Sequence, residues 1–197
     1  AQKILEEDTL IPLPYDLVTK RVIKPPGCMV LRLIRVREYK FKVDPTTGVK
    51  RHLECCRFVC DGSADKREDS FYAETPDRIL LFLVTSIGAS IGEHVSSSDV
   101  ERAYLNAPSL DRNIVVFVPP DIKGLPTWSM LNKGLYGSRA GALSWQVWID
   151  SILTKQDYQK CDVARGMYTK ELSSGELLRV YRHSDDFRVS SKDVRGM

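Results

Sequence analysis

The stretch Leu177-Leu-Arg-Val-Tyr-Arg-His-Ser-Asp-Asp-Phe-Arg-Val189 sets two adjacent acids, Asp185 and Asp186, between two short runs of strand-forming residues. Leu177 to Tyr181 and Phe187 to Val189 read as paired strands, and His183-Ser184-Asp185-Asp186 as the turn at their tip. An Asp-Asp pair in a turn is ordinarily turn chemistry. A second acid changes its meaning. Asp99 follows the short segment Glu93 to Ser98 and so stands at the end of another strand. Carboxylates fixed at two strand ends suit two-metal phosphoryl transfer, in which paired Mg²⁺ ions about 3.5–4 Å apart clamp the attacking and leaving oxygens. Magnesium binds a few hard carboxylate oxygens together with substrate phosphates, so a complete protein cage is not required.

The elements around these acids follow from local patterns. Lys24-Pro25-Pro26-Gly27 punctuates the start of structure, and Met29 to Arg37 alternates loosely before Tyr39-Lys-Phe-Lys-Val43 alternates well. The turn Asp44-Pro45-Thr46-Thr47-Gly48 then leads to a strand over Leu53 to Cys60, which makes a basic β-hairpin. Thr75 as cap, Pro76 at the first helical position and Asp77 against the dipole predict a helix start. The run Ile79 to Ile87 is apolar nearly all round, which predicts a largely buried helix ended by Gly88 or Gly92. Ile114 to Val118 is a β-branched strand stopped by Pro119-Pro120. From about Ala140 to Leu153, Ala142, Trp145, Ile149 and Ile152 form one helical apolar stripe. The order hairpin, helix, strand, strand, helix, hairpin predicts an α+β fold, an antiparallel sheet with its helices on one face.

Composition bounds the partners. The 197 residues are 43% hydrophobic and 28% charged, with formal net charge +3. Residues 20–57 concentrate eleven Lys and Arg against Glu38, Asp44 and Glu54. Such a lobe can line a groove for phosphates, or be a solvated strand face. Five cysteines without paired spacing argue for an intracellular, reducing compartment. His52 with Cys55, Cys56 and Cys60 could form a zinc cluster, but adjacent Cys55 and Cys56 point to opposite faces of a strand, so the cysteines read as buried free thiols. The longest apolar run, Ile79 to Val84, is too short to cross a bilayer, and no membrane partner is expected.

Several segments in order resemble the reverse transcriptase of copia-type long-terminal-repeat retrotransposons. Ser98-Asp-Val-Glu-Arg-Ala-Tyr-Leu-Asn106 resembles that family's D-V-x-x-A-F/Y-L-N, and Lys133-Gly-Leu-Tyr-Gly-Ser-Arg-Ala-Gly-Ala-Leu-Ser-Trp145 its L-Y-G-L-K-Q-A-P-R-x-W. The last hairpin takes the place of Y-V-D-D. Upstream, Pro25-Pro26-Gly27, Cys55 to Gly62 and Phe71 to Pro76 sit where the family has a Pro-Gly turn, K-A-R-L-V-A-x-G and a segment ending in A-P-V. The resemblance runs from about residue 25 to the end, leaving 1–24 as an N-terminal extension. It implies a right-hand palm with a β-rich fingers lobe, Mg²⁺ or Mn²⁺ on Asp99, Asp185 and Asp186, and an RNA or DNA template-primer with a deoxynucleotide as partners. Tyr104 then matches the aromatic gate under the incoming sugar, and its alternative is a core aromatic with its hydroxyl at the surface. Arg57 matches a fingers arginine that grips triphosphate oxygens. Arg139 stands at the family's lysine near template and nucleotide, and its alternative is a solvated first-turn side chain. His183 and Ser184 fall where the family touches the primer end.

The sequence departs from the family at these points. His183 and Ser184 replace Tyr and Val, Ala140 and Ala142 replace Gln and Pro, and Cys55 replaces a lysine. A primer grip, thumb, connection and RNase H domain have no room in 197 residues, so the chain is expected to be a polyprotein fragment or a polymerase core kept for another use. Two functions follow. One is an RNA-directed DNA polymerase core. The other is a weak or inactive polymerase-like module that binds nucleic acid or serves as a structural subunit with protein partners.

Overall fold

A computed structural model describes residues 8–44, 46–66, 73–74, 76–111 and 113–193. Thr75, Pro45 and much of the 71–76 segment lie outside the described residues. The chain divides into two compact units. The first comprises Ala1–Asp69 with Ser109–Gly141, the second Ser70–Pro108 with Ala142–Met197.

The first unit holds a five-stranded sheet of β1 (Leu10–Pro12), β4 (Met29–Val43), β5 (Lys50–Cys60), β7 (Ile114–Phe117) and β8 (Trp128–Leu131), ordered β1-β8-β7-β4-β5. A separate two-stranded ribbon joins β2 (Tyr15–Asp16) to β3 (Arg21–Val22). The basic hairpin is β4–β5, in register from Leu33↔Cys60 to Val43↔Lys50. Its turn is held by the Asp44 carboxylate, which accepts from the Thr46 and Thr47 amides at 2.9 and 3.2 Å. The change in alternation along β4 has a physical cause. Met29 to Arg32 lie parallel to β7 inside the sheet, with Leu31 and Leu33 fully buried. Beyond that, β4 is paired only with β5, so Tyr39 and Phe41 are exposed.

The Leu135-Tyr-Gly-Ser motif is built against the end of this hairpin. The Cys60 amide donates to the Tyr136 carbonyl at 2.7 Å, and Ser138 Oγ donates to the Leu135 carbonyl at 2.7 Å. Gly137 has φ +83, and a Cβ there would drive into the Cys60 carbonyl oxygen. Only glycine tolerates both conditions.

The second unit holds β6 (His94–Asp99), β9 (Gln159–Lys160), β10 (Met167–Glu171), β11 (Leu177–His183) and β12 (Asp186–Ser191), all antiparallel in the order β6-β12-β11-β10-β9. Helix α1 (Arg78–Ser90) precedes β6, and the four-residue α2 (Ala103–Asn106) follows it. Helix α3 (Arg139–Lys155) begins in the first unit and runs on through the second.

Three expectations are corrected here. Helix α1 starts two residues later than expected. Its cap is Asp77, whose carboxylate accepts from the Ile79 amide at 2.9 Å, and Pro76 lies buried ahead of it. The helix runs through Gly88 and stops before Gly92. Gly88 is buried where the helix lies on the sheet, and a Cβ there would make ordinary contact with Ser190 Cβ at 3.4 Å. The helix is also not largely buried. Leu80, Leu81, Val84 and Thr85 face inward, whereas Ile79 and Phe82 are 63% and 68% exposed. Finally, the helices do not share one face of the sheet. Alternation along β11 and β12 sends Val180 and Phe187 into a cluster with Trp145 and Ile149 of α3, and sends Tyr181 and Arg188 toward Leu81 and Phe82 of α1. Both faces carry large side chains, so each takes a helical cover.

Gly137→Ala should lower stability by about 1–3 kcal/mol, measured by urea unfolding. Gly48→Ala, at φ +66 with nothing within 4 Å, should cost less. Of the thiols expected to be buried, only Cys60 is, and burial pushes it up to about 12; Cys55 is half-buried and Cys56 exposed, because β5 lies at the edge of its sheet. Iodoacetamide at neutral pH should therefore label Cys56 in the native protein and Cys60 only after unfolding.

Candidate active site

Each acid reaches the site through sheet register. Strand β12 pairs with β6 so that Asp186 lies directly opposite Asp99, followed by Phe187↔Ser98 and Arg188↔Ser97. Directly opposed residues of an antiparallel pair share a face, with Cβ atoms about 4.5–5.5 Å apart. His183↔Asp186 is the last pair of the β11–β12 hairpin, so Ser184 and Asp185 form its two-residue loop. Ser184 has φ +59, a left-handed conformation that lets so short a loop follow the strand twist.

Two hydrogen bonds hold that loop. The Val100 amide donates to the Asp185 carbonyl at 2.9 Å, extending the β6–β12 ladder past Asp99. Trp145 Nε1 donates to the Ser184 carbonyl at 2.8 Å, tying the loop to α3. Trp145 thus fills the core, as its place on the apolar stripe predicts, and also carries a polar anchor that periodicity does not reveal. Asp99 and Asp186 are exposed and Asp185 is half-buried, so all three carboxylates reach solvent from one end of the sheet. Among the described residues no group of three His, Cys, Asp or Glu side chains is arranged as a metal site. The donor chemistry still suits magnesium, because the acids offer only hard oxygens and leave open positions for phosphate.

Tyr104 lies in α2, just after Arg102 turns the chain through φ +55. Its half-buried ring packs against the cluster containing Ala103, Ala107 and Trp145. The same ring lines a cavity of about 100 Å³ with Ala142, Gln146, Arg182, His183 and Ser184. His183 also borders a second cleft of about 230 Å³, with Arg78, Phe82 and Asp186. The structure therefore gathers Asp185, Asp186, Asp99, His183 and Ser184 around one hairpin end.

Arg57 and Arg139 belong to the first unit. The Arg57 guanidinium lies 3.1 Å from Glu38 across the β4–β5 hairpin and is about half exposed. Arg139, the first residue of α3, sits 3.9 Å from Asp65, whose side chain is fully buried. That partner ties Arg139 to the protein, so it is not simply a solvated first-turn side chain.

One polar cluster leaves little trace in the sequence. Asp150 on α3 accepts from the Tyr168 hydroxyl and from Lys160 Nζ at 2.9 Å, and Arg182 Nη2 lies 3.6 Å away. Arg182 is only 2% exposed, and its Nε has no partner. Burial, helped by the bond to Asp150, pushes the Tyr168 hydroxyl up to about 12. The only sequence signal was that Asp150 directly follows Ile149 of the buried stripe, at the stripe's margin.

Comparison with known proteins agrees with the segments that frame these acids. No curated protein matches the chain. The family described as "Reverse transcriptase (RNA-dependent DNA polymerase)" matches residues 40–197, a span that contains Asp99, Asp185, Asp186 and the β4–β5 hairpin beyond Tyr39. This protein therefore belongs to the reverse transcriptase (RNA-dependent DNA polymerase) family.

Proposed function

We propose that the chain is the fingers-and-palm core of a copia-type reverse transcriptase, with Asp99, Asp185 and Asp186 holding divalent metal. The observation that carries this reading is the opposition of Asp99 and Asp186 across β6 and β12, with Asp185 in the adjoining loop. Two acids distant in sequence meet at one sheet end, where a phosphate could be reached from solvent.

The reaction joins a primer to a deoxynucleotide. The primer 3′-hydroxyl oxygen loses its proton to solvent and bonds to the α-phosphorus, the bond from that phosphorus to the α,β-bridging oxygen breaks, and pyrophosphate leaves with that oxygen. Mg²⁺ bound there would neutralise charge developing on the phosphoryl oxygens. The protein's own contribution is placement. Trp145 and Val100 hold the Ser184 and Asp185 carbonyls, which fixes the loop from which Asp185 projects. Ser184 within that loop and His183 just before it face the primer end. The Tyr104 ring bounds the sugar and excludes a 2′-hydroxyl by its bulk. Arg57 exchanges Glu38 for triphosphate oxygens, a low-cost exchange because half-exposed ion pairs contribute little. The anchoring of Arg139 on buried Asp65 favours a structural role in shaping the start of α3.

A primer-extension assay with Mg²⁺ or Mn²⁺ tests the reading. Asp185→Asn and Asp99→Asn should each lower incorporation at least about 100-fold, equivalent to about 2.7 kcal/mol of transition-state stabilisation. Equal incorporation by wild type and Asp185→Asn would end the catalytic claim. Template binding that survived in the Asp99→Ala, Asp185→Ala double variant of an inactive wild type would leave the nucleic-acid-binding module as the function. Tyr104→Ala should raise ribonucleotide use relative to deoxynucleotide use by about tenfold or more. An unchanged ratio would make Tyr104 a packing residue only.

A further inference from the structure

The first unit contains a cleft that the polymerase chemistry does not use. It is open, about 670 Å³ in volume, and lies between the β2–β3 ribbon and β8, with Tyr15, Lys20, Arg21, Lys24 and Trp128 on its walls. Tyr15 to Lys24 precede residue 40, where the family match begins.

Its charge is uncompensated. Along the β4–β5 hairpin, Arg35, Arg37, Arg51 and Arg57 each have a carboxylate within 4.0 Å, namely Asp121, Glu54, Asp44 and Glu38. Among the described residues Lys20, Arg21 and Lys24 have none. The acid nearest in the ribbon is Asp16, which is paired in register with Arg21. Its carboxylate is turned into its own loop, accepting from the Thr19 hydroxyl at 2.6 Å and the Val18 amide at 2.8 Å. Three cations against one occupied carboxylate leave a positive excess on the cleft wall.

Flat apolar surface accompanies that charge. The Tyr15 side chain is 54% exposed. Trp128 is backed by Phe117 with ring centroids 4.8 Å apart, and Lys24 Nζ stands 3.4 Å over its ring. A cation–π contact positions an ammonium without neutralising it, so Lys24 is held at the wall with its charge still available.

An exposed ring beside uncompensated cations suits a ligand that alternates planar bases with phosphates. Base–aromatic stacking tolerates any base, and the cations follow the backbone. A duplex would offer Tyr15 no free base face, and an acidic peptide would leave the ring without a stacking partner. We propose that this cleft binds single-stranded nucleic acid, with Tyr15 stacking on one base and Lys20, Arg21 and Lys24 meeting neighbouring phosphates. The proposal shares with the polymerase reading only the class of partner, and it does not depend on the three acids.

Fluorescence anisotropy on the full chain tests it, using labelled oligouridylate and oligothymidylate of about 12 nucleotides with EDTA present. The Lys20→Ala, Arg21→Ala, Lys24→Ala triple variant should weaken binding about tenfold or more at about 100 mM salt, and should flatten the log-affinity against log-salt slope by about two. Tyr15→Ala should weaken binding about five- to tenfold with the slope unchanged, and Tyr15→Phe should bind as wild type. A 5-iodouracil probe should crosslink to a peptide carrying Tyr15 or Trp128. Asp185→Asn should bind as wild type, so loss of primer extension and loss of cleft binding are read separately. The proposal is overturned if wild type binds neither oligonucleotide, if the triple and Tyr15→Ala variants bind as wild type, or if duplex or polyglutamate competes as well as single strand.

Discussion

The antiparallel pairing of β6 with β12 is the constraint on which the second unit depends. Strand β6 lies at the sheet edge, and its register alone places Asp99 opposite Asp186. A slip of one residue would turn every side chain of β6 to the other face. The register is fixed at both ends. Val100 continues the ladder onto the Asp185 carbonyl, and at the other end Ser191 pairs with His94 beside the close approach of Gly88 to Ser190. Trp145 then links the hairpin loop to α3, so core packing and loop geometry share one side chain.

The same sheet shows how a two-faced element organises its surroundings. Tyr181 donates its hydroxyl to the Asp77 carbonyl at 2.7 Å, joining β11 to the cap of α1. Arg179 pairs with Glu93 just after that helix, on the same side. The opposite side carries Tyr168, Val180 and Phe187 into the α3 cluster, with Asp150 receiving the buried polar ends of Tyr168 and Arg182. A charged residue so deep in a sheet is retained only because a partner is supplied there, as an uncompensated buried charge would be strongly destabilising. In the first unit, close backbone approach does comparable work. The Leu135-Tyr-Gly-Ser motif meets the end of β5 through a backbone bond and one glycine, while Leu135 is fully buried.

Much of this was legible from local patterns. The β4–β5 hairpin, the extent of α3, the run at β7 and the hairpin bearing Asp185 and Asp186 follow from alternation, turn residues and helical spacing. The sequence alone leaves the start of α1 two residues early, because Pro76 and Asp77 both fit a first turn and only the Asp77–Ile79 bond decides between them. The short strands β1, β2, β3 and β9 have two or three residues each, too few to show a period.

By itself the sequence determined which residues are paired into hairpins, which helix face is apolar, and that three acids stand at strand ends or in a turn. Those are local properties, set by backbone preference and the period of the side chains. Tertiary structure alone decided that Asp186 and not Asp185 stands opposite Asp99, that helices cover both faces of the sheet, and that Asp150 gathers Tyr168, Lys160 and Arg182. Periodicity tells which way a side chain faces along its own element. It carries no record of what stands across from it, because that partner is chosen by pairing and packing between segments far apart in the chain.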